Sequence, residues 1–120
     1  MRLIFSLLLI LFLTPAAYAG TVDDLWKDTD RDVNKFCPAY GSAMARSIIR
    51  LKESRHTQDE AYQKVKNESH YPVFHALIEK SVLVVYGFLP DGKTPSEKEI
   101  APKLTWVCAE HMANHIRPFD

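Results

Sequence analysis

Apolar residues recur with a helical period directly after residue 20. Between Thr21 and Phe36 they fall three or four positions apart, which predicts one amphipathic helix with Thr21 as its N-cap. Acidic residues crowd the opposite side of this helix, including those in the run from Asp28 to Asp32. We interpret these carboxylates as a face exposed to solvent.

Two more helices are predicted by start signals that precede apolar stripes. Pro38 suits the first turn of a helix and opens a second one, which runs to about Glu53. Thr57 and Glu60 have the spacing of a capping box, in which each side chain binds the other residue's backbone N–H. This pair predicts the start of a third helix, which ends near Glu68.

The segment YPVFHALIEKSVLVVYGFLP is the most hydrophobic part of the chain after residue 20. Pro72 can start a helix there, and Gly87 with the following Pro-Asp-Gly can end it. Apolar residues occupy nearly every side, which is typical of a central, buried helix. A strand across Val82–Val85 is the alternative, but the apolar stretch is long and no partner strand is visible, so we predict a helix.

The last helical region opens around Thr94 to Ser96. Either Thr94 with Glu97 or Ser96 with Glu99 has the spacing of a capping box. Pro102 is expected to kink this region or divide it in two, because proline lacks the N–H of a helix interior. The whole pattern predicts an all-α fold, a single small domain of four to five helices.

The first twenty residues, MRLIFSLLLILFLTPAAYAG, have the layout of a secretory signal peptide. Arg2 precedes an apolar run, and Ala17 and Ala19 are the small residues that a signal peptidase recognises. The apolar run has about eleven residues, whereas spanning a bilayer takes roughly 20. We therefore predict that residues 1–19 are removed, that residues 20–120 form the domain without membrane insertion, and that it is periplasmic or secreted.

The charge of the exported chain argues against two classes of partner. Lys and Arg number 15, as do Asp and Glu, and removal of Arg2 with the signal leaves a formal charge of −1. Proteins that bind nucleic acid or anionic membranes carry a clear excess of basic residues. Neither is therefore expected as a partner.

Two cysteines remain in the exported chain, Cys37 and Cys108, and an oxidising compartment favours their pairing. Both lie on apolar stripes of separate predicted helices, as a buried bridge requires. Closing a loop of about 70 residues stabilises a fold by roughly 4 kcal/mol on the chain-entropy model. One disulfide is therefore predicted to staple the bundle.

The stretch VCAEHMANH places Cys108, His111 and His115 on one side of the last helix. Both cysteines and both histidines would make a tetrahedral zinc set, but the thiols are expected to pair with each other. A second hypothesis keeps the disulfide and uses His111 and His115 as metal ligands, with Glu110 or His70 completing the site. The remaining interpretations are hydrogen bonds at the edge of the core, a surface for a partner, or a response to pH.

Motifs for common enzymatic reactions do not occur in the sequence. Thiol–disulfide exchange typically uses Cys-x-x-Cys, whereas the cysteines here are 71 positions apart. Gly-x-Ser-x-Gly, a phosphate-binding glycine loop and His-Glu-x-x-His are also missing from the sequence. We therefore expect neither enzymatic activity nor a cofactor.

The stretch CPAYGSAMARSIIRLKESRHTQDEA resembles a group of small exported, helical, two-cysteine proteobacterial proteins. The likeness extends from Cys37, which opens a helix, to the late Cys108. The helix carries small residues, at Gly41, Ala43 and Ala45. The group tends to carry Arg-x-x-Gly before a Ser or Thr cap, but here Arg55 is followed directly by His56 and Thr57. The resemblance implies a helical fold and a periplasmic location, and it implies no activity because none is established for the group.

A stapled, exported domain without a catalytic motif is typical of proteins that act by binding another protein. We therefore expect an inhibitor, an immunity protein or an envelope accessory factor, with homodimer formation as a further possibility. The expected contact surfaces are exposed parts of Val73–Leu89 and the acidic first helix. The alternative hypotheses are a transition-metal protein that uses its histidines and an acid-activated periplasmic chaperone.

Overall fold

Capping residues and apolar stripes divide residues 21–116, which the computed structural model describes, into five α-helices. These are α1 (Val22–Asp28), α2 (Val33–Glu53), α3 (Gln58–Lys66), α4 (Pro72–Gly87) and α5 (Glu97–Ile116), with a short 3-10 turn at Pro90–Gly92. No β-strand occurs in this range. The predicted all-α bundle is confirmed, whereas the predicted signal peptide lies outside the described residues.

The single helix predicted over 21–36 is wrong, because the chain turns after Asp28 and a new helix starts at Val33. The turn depends on two consecutive residues with left-handed backbone, Asp30 with φ 61° and Arg31 with φ 55°. The apolar spacing continues across this turn, so periodicity alone did not reveal it.

Backbone hydrogen bonds close the turn as a Schellman motif. The N–H of Asp30 donates to the carbonyl of Lys27 at 3.0 Å, and the N–H of Arg31 donates to that of Trp26 at 2.9 Å. The Thr29 hydroxyl donates to the carbonyl of Leu25 at 2.8 Å. The carbonyl groups in the last turn of α1 thus find hydrogen-bond donors in the residues that follow directly, and α1 ends as a short, separate helix.

Helix α2 starts five residues before the predicted position. Asp32 is its N-cap, and one of its carboxylate oxygens accepts the N–H of Asn34 at 2.9 Å. Pro38 is therefore the sixth residue of α2, and Pro102 is likewise the sixth residue of α5, which is not divided there. Both prolines are exposed, so water can reach the carbonyls that lack a helical partner.

The other predicted start signals are confirmed. Thr57 and Glu60 form the capping box of α3, with N–H to side-chain distances of 3.1 and 2.8 Å. Of the two candidates before α5, the pair found is Ser96 and Glu99, at 3.0 and 3.2 Å. The hydrophobic segment is a helix that starts at Pro72 and ends at Gly87, as predicted.

Helices α2 and α5 share the most extensive contact in the molecule. Their backbones approach closely at Gly41, where an added Cβ would lie 2.7 Å from the carbonyl oxygen of Ala101 and 2.9 Å from the nitrogen of Thr105. Only glycine fits at that distance. This close approach brings the two helices near enough for the disulfide that joins them.

Helix α4 covers the α2–α5 pair through apolar and aromatic contacts. The ring of Phe74 lies 5.6 Å from that of Phe36, and Phe36 lies 5.5 Å from Tyr40. The Tyr40 hydroxyl donates to Ser81 at 2.7 Å, and Ser81 donates to the carbonyl of Leu77 at 2.8 Å. Burial raises the pKa of Tyr40 far above its usual value, so the phenol keeps its proton.

Candidate functional site

The predicted disulfide between Cys37 and Cys108 is confirmed. The two Cα atoms are 5.4 Å apart, and both residues are almost fully buried between α2 and α5. No free cysteine exists in residues 21–116. The sulfur atoms are therefore part of the buried core, and the described residues contain no free thiol for catalysis or metal binding.

His111 is buried, and both of its ring nitrogens have partners on α4. Lys80 lies with its ammonium 3.2 Å from Nδ1, and the carbonyl of Val73 lies 2.8 Å from Nε2. An ammonium can only donate, so Nδ1 accepts and Nε2 carries the proton that binds Val73. His111 is thus a neutral imidazole that bridges α5 to α4.

The environment of His111 opposes its protonation. Burial lowers its pKa below the usual 6.5, and the hydrogen bond to Val73 offsets part of this change. The neighbouring His115 and Lys80 lower the pKa further. The His115 ring stacks on His111 at 4.0 Å and donates from Nδ1 to the carbonyl of His111 at 2.8 Å.

This arrangement bears on the hypothesis that His111 and His115 bind a transition metal. A metal on His111 would have to displace either Lys80 or the Val73 carbonyl from its ring nitrogen. Within residues 21–116, no group of three His, Cys, Asp or Glu side chains is placed to hold a metal ion. Metal binding by this pair stays a prediction.

Helix α1 lies between two grooves that sequence reasoning missed. The wide groove has a volume of about 720 Å³ and is formed by α1, α2 and α3. Its apolar lining residues are Val22, Leu25, Ala43, Met44, Leu51 and Val65. Charged residues of both signs surround them, among them Asp28, Arg50, Lys64 and Glu68.

The second groove, called the aromatic groove below, lies on the other side of α1 and has a volume of about 530 Å³. Its walls come from α1 and the turn that follows it, from the connection between α3 and α4, from the first turn of α4, and from α5. Its apolar lining residues are Trp26, Tyr71, Val73, Phe74 and Met112. Its basic ones are Lys27, Arg31 and His70, and its acidic ones are Asp23 and Asp24. Trp26 packs edge-to-face on Phe74 at 6.0 Å, and so does Tyr71 at 5.8 Å.

Asp23 fixes α1 against the connection that completes the aromatic groove. Its carboxylate accepts the Ser69 hydroxyl at 2.7 Å and the N–H of His70 at 2.8 Å. The carbonyl of Ser69 in turn lies 2.9 Å from Nε2 of His75 on α4. The groove walls are therefore held together by hydrogen bonds as well as by aromatic contacts.

The hydrophobic helix exposes little of its apolar surface. Its inner residues are buried, and Leu83 is the large apolar side chain within Pro72–Gly87 that remains mostly exposed, at 59%. On α5, Trp106 is 55% exposed and lies under the ammonium of Lys103 at 4.8 Å. These are single residues on the outer faces of their helices, whereas the residues around α1 form continuous concave surfaces.

The grooves depend on a helix end that periodicity did not reveal. The signal that could have indicated it is the run Asp28–Asp32, since aspartate adopts left-handed backbone more readily than most residues. With α1 ended there, Trp26 and Arg31 would have been placed beside a turn rather than along a continuous helix.

Comparison with known proteins found no matching family model, no matching curated protein and no matching solved structure. The resemblance to small exported proteobacterial proteins therefore stays a prediction. None of the helices in residues 21–116 is long and apolar enough to cross a membrane.

Proposed function

We propose that this chain is an exported, non-enzymatic protein that acts by binding another protein through the surface around α1. The observation that carries the proposal is the pair of grooves on either side of α1, with volumes of about 530 and 720 Å³. Apolar floors with polar rims are typical of sites that receive side chains from a partner.

Export is supported by the buried disulfide and by the signal-like first twenty residues. Disulfides persist in the periplasm and outside the cell but are rare in reducing compartments. In such a compartment the staple between α2 and α5 holds the scaffold on which α1 and its grooves are built. Rigid scaffolds lower the entropic cost of binding a partner.

The two contact surfaces expected from the sequence differ in how much apolar surface they expose. The segment Val73–Leu89 offers two exposed large apolar side chains, Leu83 at 59% and Phe88 at 37%. The surface around α1 offers continuous apolar floors, and it also carries the acidic residues of the first helix. We therefore assign the contact to α1 and its grooves rather than to α4.

Site-specific photo-crosslinking in the native host tests this assignment. A photoreactive amino acid is placed at Lys27 in the aromatic groove, at Lys64 in the wide groove, at Leu83 on α4 and at Lys98 as a distant exposed control. We expect one protein, identified by mass spectrometry, to be crosslinked from Lys27 or Lys64 and not from Lys98. The purified partner should then bind the purified chain with a measurable Kd.

Other outcomes of this experiment are equally informative. Crosslinks from Leu83 alone would move the contact surface to α4 and refute the assignment to α1. Failure at all four positions, with the protein folded and exported, would contradict protein binding itself.

A further inference from the structure

The walls of the aromatic groove are apolar, accessible and held in place. Trp26 packs edge-to-face on Phe36 at 5.1 Å, so its ring is anchored to the core. Tyr71 contacts Phe74 in the same way, yet remains 51% exposed. Anchored aromatic rings lose little conformational freedom when a ligand covers them, so they are effective contact residues.

Among the charged side chains at this groove, the carboxylates accept hydrogen bonds and the cations have no partner within residues 21–116. Asp23 already accepts hydrogen bonds from Ser69 and His70, and Asp24 accepts the N–H of Thr21 in the capping box of α1. Within residues 21–116, the side chains of Lys27 and Arg31 make neither a salt bridge nor a hydrogen bond. The charged donors available to a ligand are therefore the ammonium of Lys27 and the guanidinium of Arg31.

The position of Arg31 is fixed by an unfavourable backbone. Its φ of 55° follows directly on the φ of 61° at Asp30, and each left-handed residue other than glycine costs about 1 kcal/mol. Asp30 pairs with Lys35 at 3.3 Å, so its carboxylate does not neutralise Arg31. A strained turn thus places Arg31, whose guanidinium has no partner within residues 21–116, in the lining of the groove that Trp26 also lines.

We propose that the aromatic groove binds an acidic segment of the partner protein, in which an apolar or aromatic side chain is flanked by carboxylates. The side chain contacts Trp26, Tyr71 and Phe74, and the carboxylates bind Arg31 and Lys27. Guanidinium groups bind carboxylates through two parallel hydrogen bonds, and aromatic walls favour large apolar side chains. This inference rests on the proposed function and specifies the chemistry of the partner.

The test uses two synthetic, capped decapeptides as probes. One combines glutamate with two phenylalanines, and its twin carries lysine in place of every glutamate. In a Trp106→Phe variant, Trp26 is the one remaining tryptophan, so its fluorescence reports directly on the groove. We expect the acidic peptide to change this fluorescence to saturation, and the basic twin to bind at least about tenfold more weakly.

Arg31→Gly provides a variant that keeps the fold. Glycine adopts positive φ without strain, so the turn is preserved while the guanidinium is removed. We expect the Kd for the acidic peptide to rise about tenfold, and to rise similarly in Tyr71→Ala. Lys98→Gln, which removes one positive charge outside both grooves, is the matched control that leaves the Kd unchanged. Two-dimensional NMR of the unsubstituted protein should locate the shifts at Trp26 and Tyr71.

The inference is overturned if Trp26 does not respond to the acidic peptide at about 1 mM. Equal binding of the two peptides, or an unchanged Kd in Arg31→Gly, would also overturn it. These results would leave the crosslinking experiment unaffected, because a partner can bind through the wide groove. Conversely, peptide binding without any crosslinked partner would contradict the proposed function but not the chemistry of the groove.

Discussion

His111 lies between two α4 groups that act differently on its charge. The carbonyl of Val73 accepts its Nε2–H whether the ring is neutral or protonated, whereas the Lys80 ammonium requires an unprotonated Nδ1. Protonation would place a cation on the buried ring of His111, directly beside the ammonium of Lys80. The charged and titratable groups that act on the ring are His115 and Lys80.

The lowered pKa of His111 predicts a loss of stability in mild acid. In the unfolded chain the imidazole takes up its proton near pH 6.5, whereas in the folded protein it does so at a lower pH. The unfolded state therefore binds more protons below about pH 6.5, and the free energy of unfolding falls as the pH decreases through that range. NMR titration of the His111 ring should give a pKa below 6.5.

Lys80→Met is the matched variant for this prediction. It keeps an unbranched apolar side chain but removes the ammonium, so the pKa of His111 should rise and the free energy of unfolding should depend less on pH between 7 and 5. Denaturant titrations at several pH values measure the second effect. A His111 pKa that is unchanged by the substitution would contradict the role given to Lys80.

Arg55 is a second residue whose conformation has a measurable cost. It follows the C-terminus of α2 with φ 68°, and its N–H donates to the carbonyl of Lys52 at 3.0 Å. Arg55→Gly should therefore stabilise the protein by about 0.5–1 kcal/mol, since glycine adopts this conformation freely. Ser54→Gly, at φ −85°, is the control and should destabilise it. Chemical denaturation distinguishes the two, and a loss of stability in Arg55→Gly would refute the prediction.

At the residue scale, the sequence revealed what is local and missed what is distant. The capping pairs Thr57–Glu60 and Ser96–Glu99 could be predicted because their partners lie three positions apart. The partners of His111 lie 31 and 38 positions away, so its burial and its protonation state depend on how α4 docks. Spacing alone left this histidine open to metal, pH or core interpretations.

At the scale of helices, the packing of α2 on α5 depends on one residue without a side chain. Gly41→Ala would place a methyl group 2.7 Å from the carbonyl oxygen of Ala101, so the helices must separate. We expect a net loss of about 1–3 kcal/mol in the free energy of unfolding, despite the higher helix propensity of alanine. Thermal and denaturant unfolding measure it.

Gly87 provides the matched control for this substitution. It ends α4, and an added Cβ would meet no atom within 4 Å. Gly87→Ala should therefore be neutral or stabilise the protein slightly, by up to about 1 kcal/mol. Equal effects of the two substitutions would show that helix propensity, rather than the approach of α2 to α5, controls stability at Gly41.

The boundaries of the helices show where the apolar pattern is insufficient. The stripe from Val22 to Phe36 is continuous in sequence, yet it serves two helices that meet at an angle set by Asp30 and Arg31. Apolar periodicity predicts which residues are buried. It cannot reveal a turn when the apolar spacing continues unchanged from one helix to the next. In contrast, α4 begins at Pro72 and ends at Gly87 as predicted. Proline restricts the backbone dihedral angles and glycine widens their range, so both residues act on helix ends directly.

At the scale of the whole molecule, the fold class and the disulfide could be predicted from the sequence, whereas the grooves could not. Two core-facing cysteines on separate helices permit one pairing, so Cys37–Cys108 could be predicted without knowing how the helices cross. A groove requires the relative placement of α1, α3 and α4, and their contacts connect residues more than forty positions apart, such as Asp23 and Ser69. The proposed binding surface could therefore be identified only in three dimensions.

The disulfide makes the strongest prediction for the molecule as a whole. Removing the link in Cys37→Ala/Cys108→Ala should lower the free energy of unfolding by about 4 kcal/mol, because the unfolded chain regains the freedom of a loop of about 70 residues. For a domain of this size the loss corresponds to a fall in Tm of about 15–30 °C. Differential scanning calorimetry measures this shift.

Reduction of the unsubstituted protein separates the covalent link from the packing of the sulfur atoms. Both cysteines are buried, so a thiol reductant should act slowly on the folded protein and rapidly once denaturant opens it. The reduced protein keeps its sulfur atoms in the core. Its free energy of unfolding should therefore fall by most, but not all, of the decrease expected for the double variant. If reduction left the Tm unchanged, the staple would contribute nothing to holding α2 against α5, and the loop-entropy argument would fail for this fold.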